Sequence, residues 1–333
     1  MEASRLNAEY VIYGPPISLF TRKLEAALRL YDVPFRSESK NEDNGKLLEA
    51  RSGSHQVPIF ETPENWMLAD TTPILGLLDA RFPARRLFPI GPAGVLVHLV
   101  EEILDEWIAR TMVHYRWHYP ENTQAVVSAI LGKSVSLEEA AAFPLAKWGP
   151  RACRATGTES LHQREHVEIE YMALLEALER QLGETRYAMG DRATAVDTIL
   201  LGGLRAHTNA DPIPDLSGFV RIQAWDSRDA DCWQGDGELP EFPSITPFAD
   251  HVLNLGRDCY AAFALGNAAA LTAGEKAFEI ETYGEKVSYL TRPYPEQSRR
   301  MVKARIRDQL NAAQRQQVET FLQKRGLFEC FAP

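Results

Sequence analysis

Over the first ninety residues, short apolar runs alternate with apolar residues spaced three or four apart. The short apolar runs lie at residues 10–13, 57–60 and 66–68 and predict strands. Leu24, Ala27, Leu28 and Tyr31 have the second pattern and predict a helix, with Ser18 placed to cap its N-terminus. A second helix opens at Thr72-Pro73. The predicted order is β-α-β-(α)-β-β-α.

Beyond this region the pattern becomes helical. Residues 82–94 hold three prolines and two glycines and predict a linker between domains. Apolar residues at helical spacing then predict five long helical stretches, near 96–116, 160–182, 194–207, 247–273 and 296–324. Residues 209–247 are rich in Pro, Asp and Gly and predict a long irregular excursion.

Length, charge and cysteine content narrow the class of protein. A chain of 333 residues exceeds the usual size of one core, so two domains are expected. With 36 basic against 46 acidic residues, the net charge is −10, which argues against binding nucleic acid or an anionic membrane. The N-terminal residues lack the apolar run of a secretory signal, and no apolar stretch reaches the ~20 residues of a membrane span. Four cysteines without a CxxC pair fit reduced thiols in a cytoplasmic protein.

Three segments of the first domain carry candidate chemistry. Ser18 precedes a helix, where unpaired N–H groups and the helix dipole favour a negative charge such as a thiolate. Val57-Pro58 opens a strand, and a cis bond there would turn the Val57 backbone outward toward a peptide-like ligand. Asp70 and Thr71 stand at another helix N-terminus, which suits a carboxylate, while Asp70 suits an ammonium. Taken singly, each segment is better explained by ordinary capping or strand-edge structure.

Taken in order, these segments resemble the glutathione transferase superfamily, serine-type. Residues 13–23 (YGPPISLFTRK) are similar to its first strand and serine-led turn, 57–60 to its proline strand, and 68–75 to its acidic glutathione-binding motif. Residues 190–197 (GDRATAVD) resemble its buried capping box, with Thr194 at the N-cap and Asp197 at N3. The chain departs from the pattern at Leu19, Asp70 and Thr71, where Pro, Glu and Ser are usual.

The resemblance implies an α/β thioredoxin-like domain over residues 1–88 and a larger all-α domain over 89–333, assembled as a homodimer. It implies an enzyme that uses glutathione as cosubstrate, without a metal, and transfers it to a small electrophile. Ser18 would stabilise the glutathione thiolate, with Tyr13 as rival. The remaining glutathione contacts would come from Gln56, with His55 as a possible helper, Val57, Pro58, Asp70 and Thr71.

The second substrate is expected between the domains. The first helix after the linker carries Trp107, Arg110, His114 and Tyr115, which we interpret as an electrophile pocket, or alternatively as helical core. The tail beyond residue 296 has amphipathic spacing and is expected to pack back on the protein, over the interdomain cleft, against a second subunit, or into the helical core.

Two alternatives to a transferase remain. One is a non-catalytic member of the same fold, used for binding or assembly. The other is a metallopeptidase, because residues 162–166 fit the H-x-x-E-H pattern. The segment is charged like a solvated helix and has no supporting third ligand, so this second alternative is remote.

Overall fold

The N-terminal part of the chain builds a small mixed sheet flanked by helices. In the computed structural model, which describes residues 9–227 and 230–333, the strands are β1 (Tyr10–Tyr13), β2 (Phe35–Glu38), β3 (Ile59–Glu61) and β4 (Met67–Ala69). They lie in the order β2-β1-β3-β4; β1 and β2 are parallel, while β3 is antiparallel to β1 and β4. Helix α1 (Leu19–Leu30) connects β1 to β2, which is the crossover a parallel pair requires. This is the predicted thioredoxin-like α/β fold.

Helices are present at each of the five predicted stretches, and further helices lie within residues 120–155 and 220–227, where none was predicted. Helices α2 (Gly45–Ser52) and α3 (Thr71–Arg81) complete the N-terminal domain. The helical part comprises α4 (Pro92–Ile103), α5 (Ala109–His118), α6 (Pro120–Leu131), α7 (Leu137–Ala142), α8 (Gly149–Ala155), α9 (Leu161–Gln181), α10 (Ala195–Gly203), α11 (Val220–Ser227), α12 (Pro247–Leu255), α13 (Ala261–Ala273), α14 (Pro293–Gln309), α15 (Ala312–Arg325) and α16 (Phe328–Phe331). π-helical turns join α4 to α5, extend α10, and join α12 to α13. The domain boundary after residue 88 stays a prediction.

Two features of the second domain were not predicted from the sequence. A hairpin of β5 (Ala277–Thr282) and β6 (Glu285–Leu290) interrupts the helices, so this domain is not purely helical. Its two-residue turn places Tyr283 and Gly284 at φ 54° and 75°, the left-handed conformation that tight hairpins need. The tail helix also breaks after Leu310, because Asn311 starts α15 with a capping box.

Helix α1 is the main contact between the two domains. It packs against α10, where a Cβ on Gly202 would lie 2.7 Å from the Leu19 carbonyl oxygen, so only glycine allows this approach. The buried capping box predicted for α10 is confirmed: the Asp197 carboxylate accepts hydrogen bonds from the Thr194 N–H and hydroxyl at 2.7 and 3.0 Å. It anchors the start of the helix that supports α1.

The tail packs back on the protein, as expected. Val302, Ile306, Val318, Leu322 and Leu327 are fully buried, so the tail is part of the helical core. It also reaches the N-terminal domain, where the Tyr294 hydroxyl lies 3.0 Å from Ser54 Oγ.

Candidate functional site

The sheet register brings the three candidate segments to one end of the sheet. Tyr13, the last residue of β1, pairs with Ile59, the first of β3, and Ile59 pairs with Ala69, the last of β4. The chain therefore leaves β1 toward Ser18, enters β3 from Val57-Pro58, and leaves β4 toward Asp70, all at the same end of the sheet. Segments far apart in the sequence thus form one surface.

Ser18 lies at the N-terminus of α1 as predicted. It caps the helix with extended backbone angles, φ −94° and ψ 124°, and its Oγ accepts a long 3.4 Å hydrogen bond from the Thr21 N–H. Because Oγ is the acceptor in that contact, its own hydrogen is still available to donate. No acidic side chain occupies the first turn of α1, so nothing there offsets the positive end of the helix dipole. The half-buried hydroxyl suits an incoming anion.

Tyr13 is placed differently. Its hydroxyl donates a 2.9 Å hydrogen bond to Glu61 Oε2 on β3. Burial, together with this carboxylate, raises the pKa of the phenol above its ordinary value. A proton already committed to a carboxylate is a poor donor for a thiolate, so the geometry favours Ser18.

The Val57-Pro58 bond is cis. Val57 is half-buried and precedes the paired part of β3, which begins at Ile59. The loop before it is held by the Ser54 hydroxyl, which accepts a 3.1 Å hydrogen bond from the N–H of the exposed Gln56. Lys40 Nζ fixes the neighbouring His55 carbonyl at 2.5 Å.

Asp70 caps α3 with a strained backbone. Its φ of 73° is a left-handed value that side-chain-bearing residues rarely adopt, and such strain is concentrated at functional sites. Burial, followed by the charge of Asp105, raises the pKa of the Asp70 carboxyl to about 6, although Lys23 opposes the shift. Thr71, the first residue of the helix, is buried beside it.

Sequence reasoning missed the buried charge cluster behind these residues. Lys23 on α1 is fully buried, and its Nζ lies 2.5 Å from both Glu101 Oε1 and Asp105 Oδ1 of the helical domain. Burial disfavours its charge, but Asp105 and Glu101 outweigh this effect and raise its pKa. Thr72 at the start of α3 donates to Glu101 at 3.2 Å. The cluster therefore locks the helices that carry Ser18 and Asp70 against the second domain.

The four residues predicted to bind the electrophile are buried inside the helical domain. Trp107, Arg110, His114 and Tyr115 are between 1% and 5% exposed and are enclosed within the helical domain. Arg110 stacks on Trp107 and pairs with Glu170 at 2.6 Å, while His114 pairs with Glu168 at 2.8 Å. These contacts agree with the alternative interpretation as core.

An apolar cavity lies between α1 and the helical domain. Leu19 lines it from the N-terminal domain, and Leu104, Ile108 and Met112 line it from the helical one. The last three are spaced i, i+4, i+8, a stripe that would have identified this face of the helix. The aromatic residues drew attention to a different face.

The metallopeptidase alternative gains nothing from the structure. Within residues 9–227 and 230–333, no group of three or more His, Cys, Asp or Glu side chains is arranged to hold a metal ion. His162 of the H-x-x-E-H pattern instead lies 2.8 Å from the Tyr283 carbonyl oxygen, and His166 stacks on the Tyr283 ring. No helix in those same ranges is long and apolar enough to cross a membrane.

Comparison with known proteins agrees with this geometry. Residues 12–86 match the family model described as glutathione S-transferase, N-terminal domain. No curated protein matches the chain.

Several solved structures are distantly similar. A glutathione S-transferase from Rhodospirillum rubrum F11 is 14% identical with a TM-score of 0.46, over 73% of this chain and 99% of that one. One from Pseudomonas fluorescens Pf-5 is 21% identical with a TM-score of 0.38, over 66% and 94%. Human glutathione-S-transferase T1-1 is 15% identical with a TM-score of 0.44, over 66% and 82%. Such distant likeness assigns no role to any residue.

Proposed function

We propose that the protein is a glutathione transferase that binds glutathione at this end of the sheet and activates it as a thiolate. The observation that carries the proposal is that Ser18, Val57 and Asp70 converge at one end of the sheet, with Ser18 at a helix N-terminus. A tripeptide with a thiol in its middle needs this combination: a backbone partner, anchors for the charged ends, and a donor for the sulfur.

Each residue then has a role. The Val57 backbone pairs with the cysteinyl residue, and Asp70 holds the γ-glutamyl ammonium while the N-terminus of α3 at Thr71 holds its carboxylate. Gln56, on the same loop as Val57, faces the glycyl carboxylate. The Ser18 hydroxyl and the dipole of α1 stabilise the thiolate.

The required electrostatic effect is modest. A free thiol has a pKa of ~8.5 and is mostly protonated at neutral pH. Lowering it by about two units ionises most of it, which corresponds to ~2.7 kcal/mol. One charge-assisted hydrogen bond of about 1.5–3 kcal/mol, assisted by the helix dipole, supplies an effect of this size.

We assign the electrophile to the apolar cavity between α1 and the helical domain, since Leu19, the residue after Ser18 in the chain, lines it together with residues of the second domain. The aromatic cluster around Trp107 is too enclosed for this role. A cytoplasmic location, expected from four cysteines without a CxxC pair, and a homodimeric state, expected from the family resemblance, complete the proposal.

Replacing each rival hydroxyl tests the proposal. We expect Ser18→Ala to lower conjugation of glutathione to a model aryl halide ~10–100-fold, the effect of losing one such donor, and to raise the pKa of the bound thiol. Glutathione affinity, measured by calorimetry, should change much less, because Asp70 and Val57 remain. Tyr13→Phe is the matched control and should leave the conjugation rate, the pKa of the bound thiol and the glutathione affinity unchanged.

Two results would contradict this view. Full activity in Ser18→Ala together with lost activity in Tyr13→Phe would make Tyr13 the donor. The absence of glutathione binding by the unmodified protein at millimolar concentration would favour the non-catalytic alternative.

A further inference from the structure

The loop before Ser18 is held at each of its last three carbonyl groups. The Pro15 oxygen accepts a hydrogen bond from the Ser18 N–H at 3.1 Å, and the Pro16 oxygen accepts one from Arg22 Nε at 3.0 Å. Both donors belong to the N-terminal domain. The third oxygen, that of Ile17, accepts a 2.7 Å hydrogen bond from Nη1 of Arg116, which lies on α5 of the other domain.

The Arg116 guanidinium is fully occupied and rigidly held. Its Nη2 donates to the Ala206 carbonyl at 2.6 Å, and Nε and Nη2 donate to the two oxygens of Asp211 at 3.2 and 3.1 Å. Only 4% of the side chain is exposed, so these bonds are shielded from water. The planar fork therefore joins three separate segments in one fixed geometry.

The charges around this guanidinium are balanced locally. Asp211 is the neutralising carboxylate, and His207 Nε2 lies 3.5 Å from Arg116 Nη1. Burial and the charge of Arg116 hold the pKa of His207 well below its ordinary value, so the imidazole is neutral. The position of Arg116 is thus set by hydrogen bonds rather than by attraction to the site.

Holding the Ile17 carbonyl orients Ser18 directly. That oxygen and the Ser18 nitrogen belong to the same planar peptide unit, so fixing one fixes the other. The hydrogen bond that Ser18 Oγ accepts from Thr21 is long, at 3.4 Å, and is a weak constraint by itself. The orientation of the hydroxyl consequently depends on the backbone that precedes it.

From this geometry we propose that Arg116 is a positioning residue for thiolate activation, acting from the helical domain through the Ile17 carbonyl on Ser18. The inference rests on the proposed function. It means that the second domain contributes to activating glutathione as well as to binding the electrophile.

Arg116→Lys tests this role, because lysine keeps the charge but cannot reach three acceptors at once. The matched control is Arg299→Lys, since Arg299 is also buried, pairs with Glu296 at 2.7 Å and donates to a backbone carbonyl, but lies in the tail. For both variants and the unmodified protein we would measure the melting temperature, the Kd for glutathione, and the pKa of the bound thiol from thiolate absorbance.

We expect Arg116→Lys to raise the thiol pKa by about one unit and to lower kcat/KM ~10-fold, since small misplacements of catalytic groups cost this much or more. Its Kd for glutathione should stay within about twofold. Arg299→Lys should lower the melting temperature comparably and leave the thiol pKa unchanged. In a Ser18→Ala background, Arg116→Lys should have no further effect on the thiol pKa, because the two residues act in series.

Other outcomes overturn the inference. If the unmodified protein lowers the thiol pKa and Arg116→Lys does so equally, Arg116 is only structural while the proposed function stands. Additive effects of Ser18→Ala and Arg116→Lys would also refute an action through Ser18. If the unmodified protein binds no glutathione, the proposed function itself fails. Should Arg116→Lys not fold, Asp211→Asn, which loosens the same guanidinium, must shift the thiol pKa in the same direction.

Discussion

The affinity for glutathione should depend on pH through Asp70. In the proposed complex this carboxylate binds the γ-glutamyl ammonium, so only its ionised form is effective. Burial and Asp105 raise its pKa to about 6, against an ordinary value of 3.8, while Lys23 opposes the shift. Protons therefore compete with the ligand as the pH falls through 6.

The size of the effect follows from that value. A group with a pKa of about 6 is roughly nine-tenths ionised at pH 7 and roughly one-tenth ionised at pH 5. The Kd should thus increase about tenfold between pH 7 and pH 5, which corresponds to ~1.4 kcal/mol. An ordinary aspartate would remain mostly ionised over this interval and produce almost no change.

Calorimetric titration with S-methylglutathione is the appropriate assay, because this ligand has no thiol to titrate. Asp70→Asn is the control: it should bind weakly and with nearly the same Kd at both pH values. It also isolates Asp70 from Glu106, whose burial raises its own pKa nearby. A pH-independent Kd in the unmodified protein, or an equal slope in Asp70→Asn, would refute the assignment of Asp70.

Two further predictions concern stability. Gly202→Ala should lower the unfolding free energy by about 1–3 kcal/mol, because its Cβ would lie 2.7 Å from the Leu19 carbonyl oxygen. The control is Gly76→Ala in α3, where a Cβ would meet nothing within 4 Å, so this variant should be neutral or stabilising. Equal melting temperatures for the two variants would contradict the close packing of α1 on α10. Truncation after Thr291 should abolish folding, because it removes the fully buried Val302, Ile306 and Leu322. Circular dichroism measures this loss. A folded product that still binds glutathione would show instead that the tail is dispensable.

Local patterns predicted the fold of the N-terminal domain and the position of Ser18 at a helix N-terminus. The β1 strand, the Ser18 cap and the Thr194–Asp197 capping box each depend on residues within a few positions of one another, and all three are present. Such features are determined by short-range hydrogen bonds, which a single sequence displays directly.

Long-range pairing could not be predicted in the same way. In the sequence Lys23 is one of several charged residues of α1, and only the three-dimensional structure shows that it is buried between Glu101 and Asp105. Arg116 lies beside aromatic residues that are more conspicuous in the sequence, and its partners lie at least ninety positions away. The hairpin is different: alternating residues around Tyr283-Gly284 did signal it, but the surrounding helical pattern obscured that signal.

The Lys23 cluster also bears on how the chain folds. Separated from its partner, the N-terminal domain would expose the Lys23 ammonium to water, and the helical domain would expose Glu101 and Asp105. Separation would also expose apolar surface, because one buried cluster joins Leu24 and Leu28 of α1 to Val196 and Leu200 of α10. Neither half is therefore a self-sufficient folding unit, and the two should unfold together in one cooperative transition.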